Sequence, residues 1–276
     1  MVRWQGRRRS ENVEDRRGHG VGIAGGGIGI LVLLVLGLCF GVDPRALLQI
    51  AEQTQTQVPS EPLTPGEDPA ADFAATILGT TEEVWTEVFA ERNATYEPPA
   101  MVLFTDIVRS GCGTASSQTG PFYCPLDRKV YLDLGFFHEL ARMGGAGDFA
   151  AAYVIGHEVG HHVQNLAGTA DEVRRRQQQA GGEEANALSV RLELQADCYA
   201  GMWANRAHQR GTFLEPGDVE EGLAAAAAIG DDRLQRNAGR AVQPESFTHG
   251  TSAQRQEWLR RGLESGEPES CDTFGA

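Results

Sequence analysis

"VIGHEVGHHVQ", residues 154–164, sets three histidines and a glutamate among apolar and small side chains. His157 and His161 are four residues apart. On a helix this puts both imidazoles on one face, one turn apart, as two metal ligands require. Glu158 is rotated off that pair but stays close enough to take a proton from a water. Two histidines plus a carboxylate base at this spacing is the pattern of zinc-assisted hydrolysis. Val154, Ile155, Val159, Val163 and Leu166 make the segment apolar over much of its circumference, so it reads as a core helix. Unpartnered histidines in a core are costly, and a metal removes the cost. Gly156 and Gly160 share one face, and each lowers helix stability by about 0.5–1 kcal/mol relative to Ala. That cost makes sense where another backbone packs closely. The competing reading is a core helix whose histidines are merely hydrogen-bonded.

A catalytic zinc takes three protein ligands and keeps a position for water, so a third ligand is expected from another element. In "ELQAD", residues 193–197, Glu193 and Asp197 are again four apart on one helical face. Ala196, Ala200, Gly201 and Ala204 give that helix a small-residue surface, which lets it approach the first. Glu193 is the expected third ligand. Asp197, one turn on, is placed to accept a hydrogen bond from a ligating histidine and fix its tautomer. Such a pair also occurs on solvated helices. His162 sits about 100° round the helix from His161 and reads as supporting or structural. His138 has no partner by spacing, and His208 falls at a solvated helix end. His249, in "FTHGTSAQR", precedes a helix and is followed six residues later by Arg255. It reads either as a helix-entry residue or as a donor to a developing oxyanion.

Outward from these motifs the chain is mainly α, with short strands (α+β). Helices are expected over 71–91, from Asp148 to about Gly168, and over 184–209, 217–236 and 251–264. Strands are expected at 100–108 and 129–134, with 111–124 as a loop of turn formers. The formal net charge is −14 over 276 residues. A body this acidic repels a phosphate backbone, so nucleic acid is not an expected partner. Residues 1–20 run against that sign, with six arginines facing only Glu11, Glu14 and Asp15. Residues 21–42, "VGIAGGGIGILVLLVLGLCFGV", carry no charge and are long enough to cross a hydrocarbon core. The positive flank then predicts a cytoplasmic segment 1–20, a transmembrane helix 21–42 and an extracytoplasmic remainder. Residues 43–70 read as a linker rich in Pro, Gln and Thr, and 71–276 as one domain. Cys39 lies in the apolar run. Cys112, Cys124, Cys198 and Cys271 fall outside the membrane in this topology, where an even number suggests two disulfides.

"HEVGHHVQ", "ELQADCYAG" and "THGTSAQR", in this order, resemble the bacterial family described as "putative neutral zinc metallopeptidase". So do "RWQGRRRSENVEDRRG", the single apolar segment, "SGCGTA" and "FYCP". The resemblance covers almost the whole chain except the linker. More distantly the pattern is similar to the gluzincins, including the membrane-associated HtpX type, which also carries a late histidine and arginine. It implies a mostly helical zincin-like domain with one zinc on His157, His161 and Glu193. Glu158 is then the base, Asp197 and Arg255 are supports, and His249 is a possible second catalytic group. The function expected is a membrane-anchored, extracytoplasmic zinc endopeptidase acting on a protein or peptide, which a strand at 129–134 or 100–108 holds extended. The alternatives are a non-catalytic zinc-containing scaffold domain, closed by His162 or Asp197 as fourth ligand, and a zinc amidase acting on cell-wall material. Of the three connectivities open to four cysteines, position favours Cys112–Cys124 across a short loop. It equally favours Cys198–Cys271, which ties a polar tail to the Glu193 helix.

Overall fold

In the computed structural model, which describes residues 1–17, 66 and 68–275, the chain begins with a short strand, β1 (Val13–Asp15). Helix α1 (Pro69–Glu91) follows. It starts where Asp68 accepts hydrogen bonds from the Ala70 and Ala71 backbones, with proline in the first turn. Strands β2 (Ala100–Phe104), β5 (Phe122–Cys124) and β6 (Lys129–Asp133) join β1 in one sheet of order β1-β2-β6-β5. β1 and β6 run parallel to β2, and β5 runs antiparallel to β6. β3 (Ile107–Ser110) and β4 (Gly113–Ser116) form a separate hairpin. The expected strand 100–108 therefore ends early. Asp106 takes a left-handed conformation (φ 64°) that turns the chain out of the sheet.

The remaining elements are helical: α2 (Phe136–Arg142), α3 (Asp148–Leu166), α4 (Thr169–Gln177), α5 (Gly182–Gly211), α6 (Asp218–Ala228), α7 (Asp231–Asn237) and α8 (Ser252–Ser265). The helix expected over 217–236 is two helices, because Gly230 is extended there (ψ 140°) and packs on the Ser252 backbone. α3 and α5 form the centre. A methyl group at Gly156 would stand 2.8 Å from the Trp203 ring, and one at Gly160 would stand 3.1 Å from the Ala196 Cα. The two glycines thus allow the close approach of α3 to the small-residue face of α5. Phe149, Ile155, Val159, Met202 and Trp203 fill the core between these helices, α1 and the sheet. Two disulfides, Cys112–Cys124 and Cys198–Cys271, fasten the β3–β4 hairpin to β5 and the C-terminal residues to α5.

The single-pass topology is corrected. It requires residues 1–20 and 71–276 to lie on opposite sides of a membrane, yet β1 pairs with β2, with Glu14 opposite Val102. The Arg3 amide donates to the Phe213 carbonyl, and Val2 is buried. The arginines read as orienting charge are partners of the acidic domain. Arg8 binds Glu82 at 2.6 Å and Arg9 binds Asp72 at 2.8 Å, while Arg17 pairs with Asp68. No helix among the described residues is long and apolar enough to cross a membrane. The apolar run 21–42, Cys39 and nearly all of the 43–70 linker lie outside the described residues.

Candidate metal centre and cleft

The i,i+4 spacing on α3 brings His157 Nε2 within 3.1 Å of His161 Nε2. Glu193 on α5 faces both, with Oε2 at 3.2 Å from His157 Nε2 and Oε1 at 3.3 Å from His161 Nε2. The three side chains thus form a triangle in which each imidazole meets a different Glu193 oxygen, and one ligand atom from each lies within 4.8 Å of the others. Donors at about 2.0 Å from a tetrahedral ion stand about 3.3 Å apart, close to the separation of each of these pairs, so the three residues could hold a zinc ion. The electrostatics fit as well. Burial alone would push the His157 pKa down, but the Asp197 and Glu193 carboxylates outweigh it and hold it up. His161 is raised against the same burial, chiefly by Glu193. Glu193 is itself held well below the carboxylate range, because the two imidazoles outweigh its desolvation. The site favours positive charge at the point where the three residues converge.

Each histidine is supported from behind. His157 Nδ1 is 2.8 Å from Asp197 Oδ1, which also accepts from the Tyr153 hydroxyl at 2.6 Å. Arg255 binds both Asp197 oxygens at 2.9 Å. Asp197 and Arg255 are almost wholly buried. Burial would raise the Asp197 pKa, but Arg255 and His157 hold it down at about 2. His161 Nδ1 meets the side-chain oxygen of Gln164 at 2.9 Å. Gln164 lies one turn beyond His161 inside the quoted motif, but its spacing alone does not mark it as a site residue. The available signal was an uncharged polar residue on a buried helical face. Tyr153 gives no such signal, since a tyrosine in an apolar helix reads as core.

Glu158 is buried and lines a cleft of about 760 Å³ with His157, His161, Glu193 and His249. The His249 side chain is half exposed, with Nδ1 at 3.2 Å from Asp231 Oδ1. Asp231, also unremarked in the sequence, organises this loop. Its Oδ2 accepts from the backbone amides of Thr248, His249 and Gly250. Hydrogen bonding to Asp231 raises the His249 pKa. His162 is buried and points away from the triangle, with Nε2 donating to the Glu97 carbonyl at 2.7 Å and Nδ1 at 3.1 Å from the Tyr123 hydroxyl. His138 is exposed, and His208 accepts from the Leu214 amide beyond the end of α5. Asp148, Asp218 and Glu221 form the other carboxylate or histidine group that could hold an ion among the described residues. There Asp218 carries the Met1 ammonium at 2.9 Å.

Fold and site together define a mainly helical protein in which two histidines and one glutamate that could hold a metal ion converge on a cleft. The chain belongs to the family described as "Putative neutral zinc metallopeptidase", which it matches over residues 2–274. It is 48% identical over 287 residues to "Uncharacterized protein YpfJ" of Escherichia coli K12, covering 99% of each chain. It is 48% identical over 192 residues to "Uncharacterized protein Rv2575" of Mycobacterium tuberculosis H37Rv, covering 66% of this chain and 64% of that one. No solved structure matches.

Proposed function

We propose that the chain is a zinc-dependent endopeptidase that holds one zinc on His157, His161 and Glu193 and uses Glu158 as its general base. The observation that carries this reading is the number of donors. Three converge, and the two residues that could close the sphere are committed elsewhere. His162 has both ring nitrogens engaged by Glu97 and Tyr123. Asp197 has both oxygens engaged by His157, Tyr153 and Arg255. A structural zinc is closed by four protein ligands, whereas a catalytic one keeps a position open. When bound, zinc supplies a Lewis acid and brings the pKa of a coordinated water down toward about 7.

The chain's own groups do the rest. Glu158, beside the histidine pair and facing the cleft, accepts a proton from the attacking water and returns it to the leaving amine. His249, kept protonated to higher pH by Asp231, is placed to donate to the oxyanion. The strands first expected to hold the substrate are both interior. β2 lies between β1 and β6, and β6 lies between β2 and β5. The sheet edge at the cleft is β5, whose Phe122 and Tyr123 line it. An extended substrate adding to that edge would run past Glu158. Toward α2 the cleft wall carries Phe136, Met143, Val154, Ile229 and Leu234 together with the Glu139 carboxylate, which suits a substrate residue with an apolar stem. The test is Glu158→Gln. It should keep one zinc per chain and lose cleavage of a mixed peptide library, read by mass spectrometry, by about 10²-fold or more. Parallel loss of zinc, or zinc-loaded wild type that cleaves no peptide, would reject the reading.

A further inference from the structure

Behind His161 lies a chain of amides that ends on the disulfide-held tail. Gln164 Oε1 is 2.9 Å from His161 Nδ1. Gln164 Nε2 donates to the Leu192 carbonyl at 2.6 Å and to Gln195 Oε1 at 3.1 Å. Gln195 Nε2 donates in turn to the Cys271 carbonyl at 3.1 Å. Gln164 is fully buried and Gln195 nearly so. Which end of a glutamine is oxygen is normally decided by its surroundings, and here the surroundings leave no choice. A backbone carbonyl can only accept. Leu192 therefore takes the Gln164 amide nitrogen, and Cys271 takes the Gln195 amide nitrogen. Either glutamine reversed would set oxygen against oxygen in a buried site. With both directions fixed, Gln164 can offer His161 only an acceptor.

We infer that Gln164 is the positioning residue that selects the tautomer of His161, and that its own orientation is imposed by the Leu192 and Cys271 carbonyls. The proton is kept on Nδ1, and the Nε2 lone pair is left facing Glu193 and His157. The Cys198–Cys271 disulfide is part of the device. It references the Cys271 carbonyl to α5, the helix that also carries Glu193 and Gln195. The three hydrogen bonds point the same way, so each polarises the next and strengthens the last one, on His161.

This inference rests on the zinc-site reading above, and the test keeps the two apart. Zinc affinity is measured on the full chain by competition with a chelator of known strength, with far-ultraviolet circular dichroism and the thermal midpoint recorded for each variant. Gln164→Leu, which removes the acceptor, should weaken zinc binding about 10–100-fold. In the zinc-free chain, at a pH where the ring is neutral, the imidazole 15N shifts of His161 should show the Nδ1–H tautomer in the wild type and a mixture of tautomers in Gln164→Leu. Gln195→Leu should weaken zinc less, because Leu192 still holds Gln164. A folded Gln164→Leu with wild-type zinc affinity overturns the inference alone, as does a His161 tautomer unchanged in that variant. If Gln164→Leu does not fold, Gln195→Leu decides: unchanged affinity overturns the inference, and a several-fold loss supports it. A wild type that takes up no zinc overturns the metal reading and this inference with it.

Discussion

The two histidines of the triangle are alike in sequence and geometry but are held by opposite chemistry. Behind His157 stand a carboxylate, a guanidinium and a phenol, all buried. Behind His161 stand two neutral amides and two backbone carbonyls. The charged support does two jobs. Asp197 orients His157, and it also neutralises Arg255, which ties α8 to α3 and α5. The neutral support does only the first job. Damage to the His157 side should therefore reach the fold, and damage to the His161 side should stay at the metal.

The sharpest way to break this contrast is Asp197→Asn. It leaves the Arg255 guanidinium buried beside a neutral amide, and losing one partner of a buried pair costs about 3–5 kcal/mol. Urea denaturation of the zinc-free protein should show a loss of that size, whereas Gln164→Leu should cost clearly less. Equal losses would mean that the two supports are energetically the same.

His162 supplies a control on the same helix, since it is buried among neutral partners without holding the metal triangle. Its burial keeps its native pKa down at about 4, against about 6.5 in an unfolded chain. Between those values the unfolded chain takes up a proton that the native chain refuses. Stability should therefore fall as pH drops from about 6.5 to about 4, by about 3 kcal/mol in all, and level off below. His162→Gln should flatten that part of the profile, measured by denaturant titration across the range. A variant with the same slope would assign the pH dependence to other groups.

The smallest effect expected on the charged side is Tyr153→Phe. It removes one of several hydrogen bonds to Asp197 and should cost about 1 kcal/mol, with zinc affinity nearly unchanged. A loss as large as that of Asp197→Asn would make Tyr153, and not Arg255, the partner that matters.

The central helices were legible because their signals are local. The i,i+4 spacing of His157 and His161, the apolar positions around them and the glycine face that meets Ala196 all lie within a few turns. The cysteine positions were informative for a similar reason, since Cys112 and Cys124 bracket a short loop. What escaped depends on distant partners. β1 is three residues in an arginine-rich stretch, and only β2, far along the chain, makes it a strand. β4 is built of Gly, Thr, Ala and Ser, a composition that signals turns, and β5 is only Phe122–Cys124, too short for alternation to show. Gln164 is unremarkable until the carbonyls of Leu192 and Cys271 appear beside it. The membrane topology failed because it weighed the arginines by position. The α1 carboxylates that pair with Arg8 and Arg9, and the Glu215 that pairs with Arg3, lie beyond the apolar run and leave no trace in the local pattern.

β1 also bears on how the molecule is made. A ribosome delivers Val13–Asp15 early, but the edge it must join does not exist until Met101–Leu103 has emerged and been aligned. Closing so long a loop is entropically unfavourable and slow relative to forming local helical contacts. β1 is thus placed well after it is synthesised, and until then one side of β2 stands open as a template for the wrong neighbour. In a refolding chain followed by pulsed hydrogen exchange, amide protection across the β1–β2 pair should arrive after protection of α3 and α5.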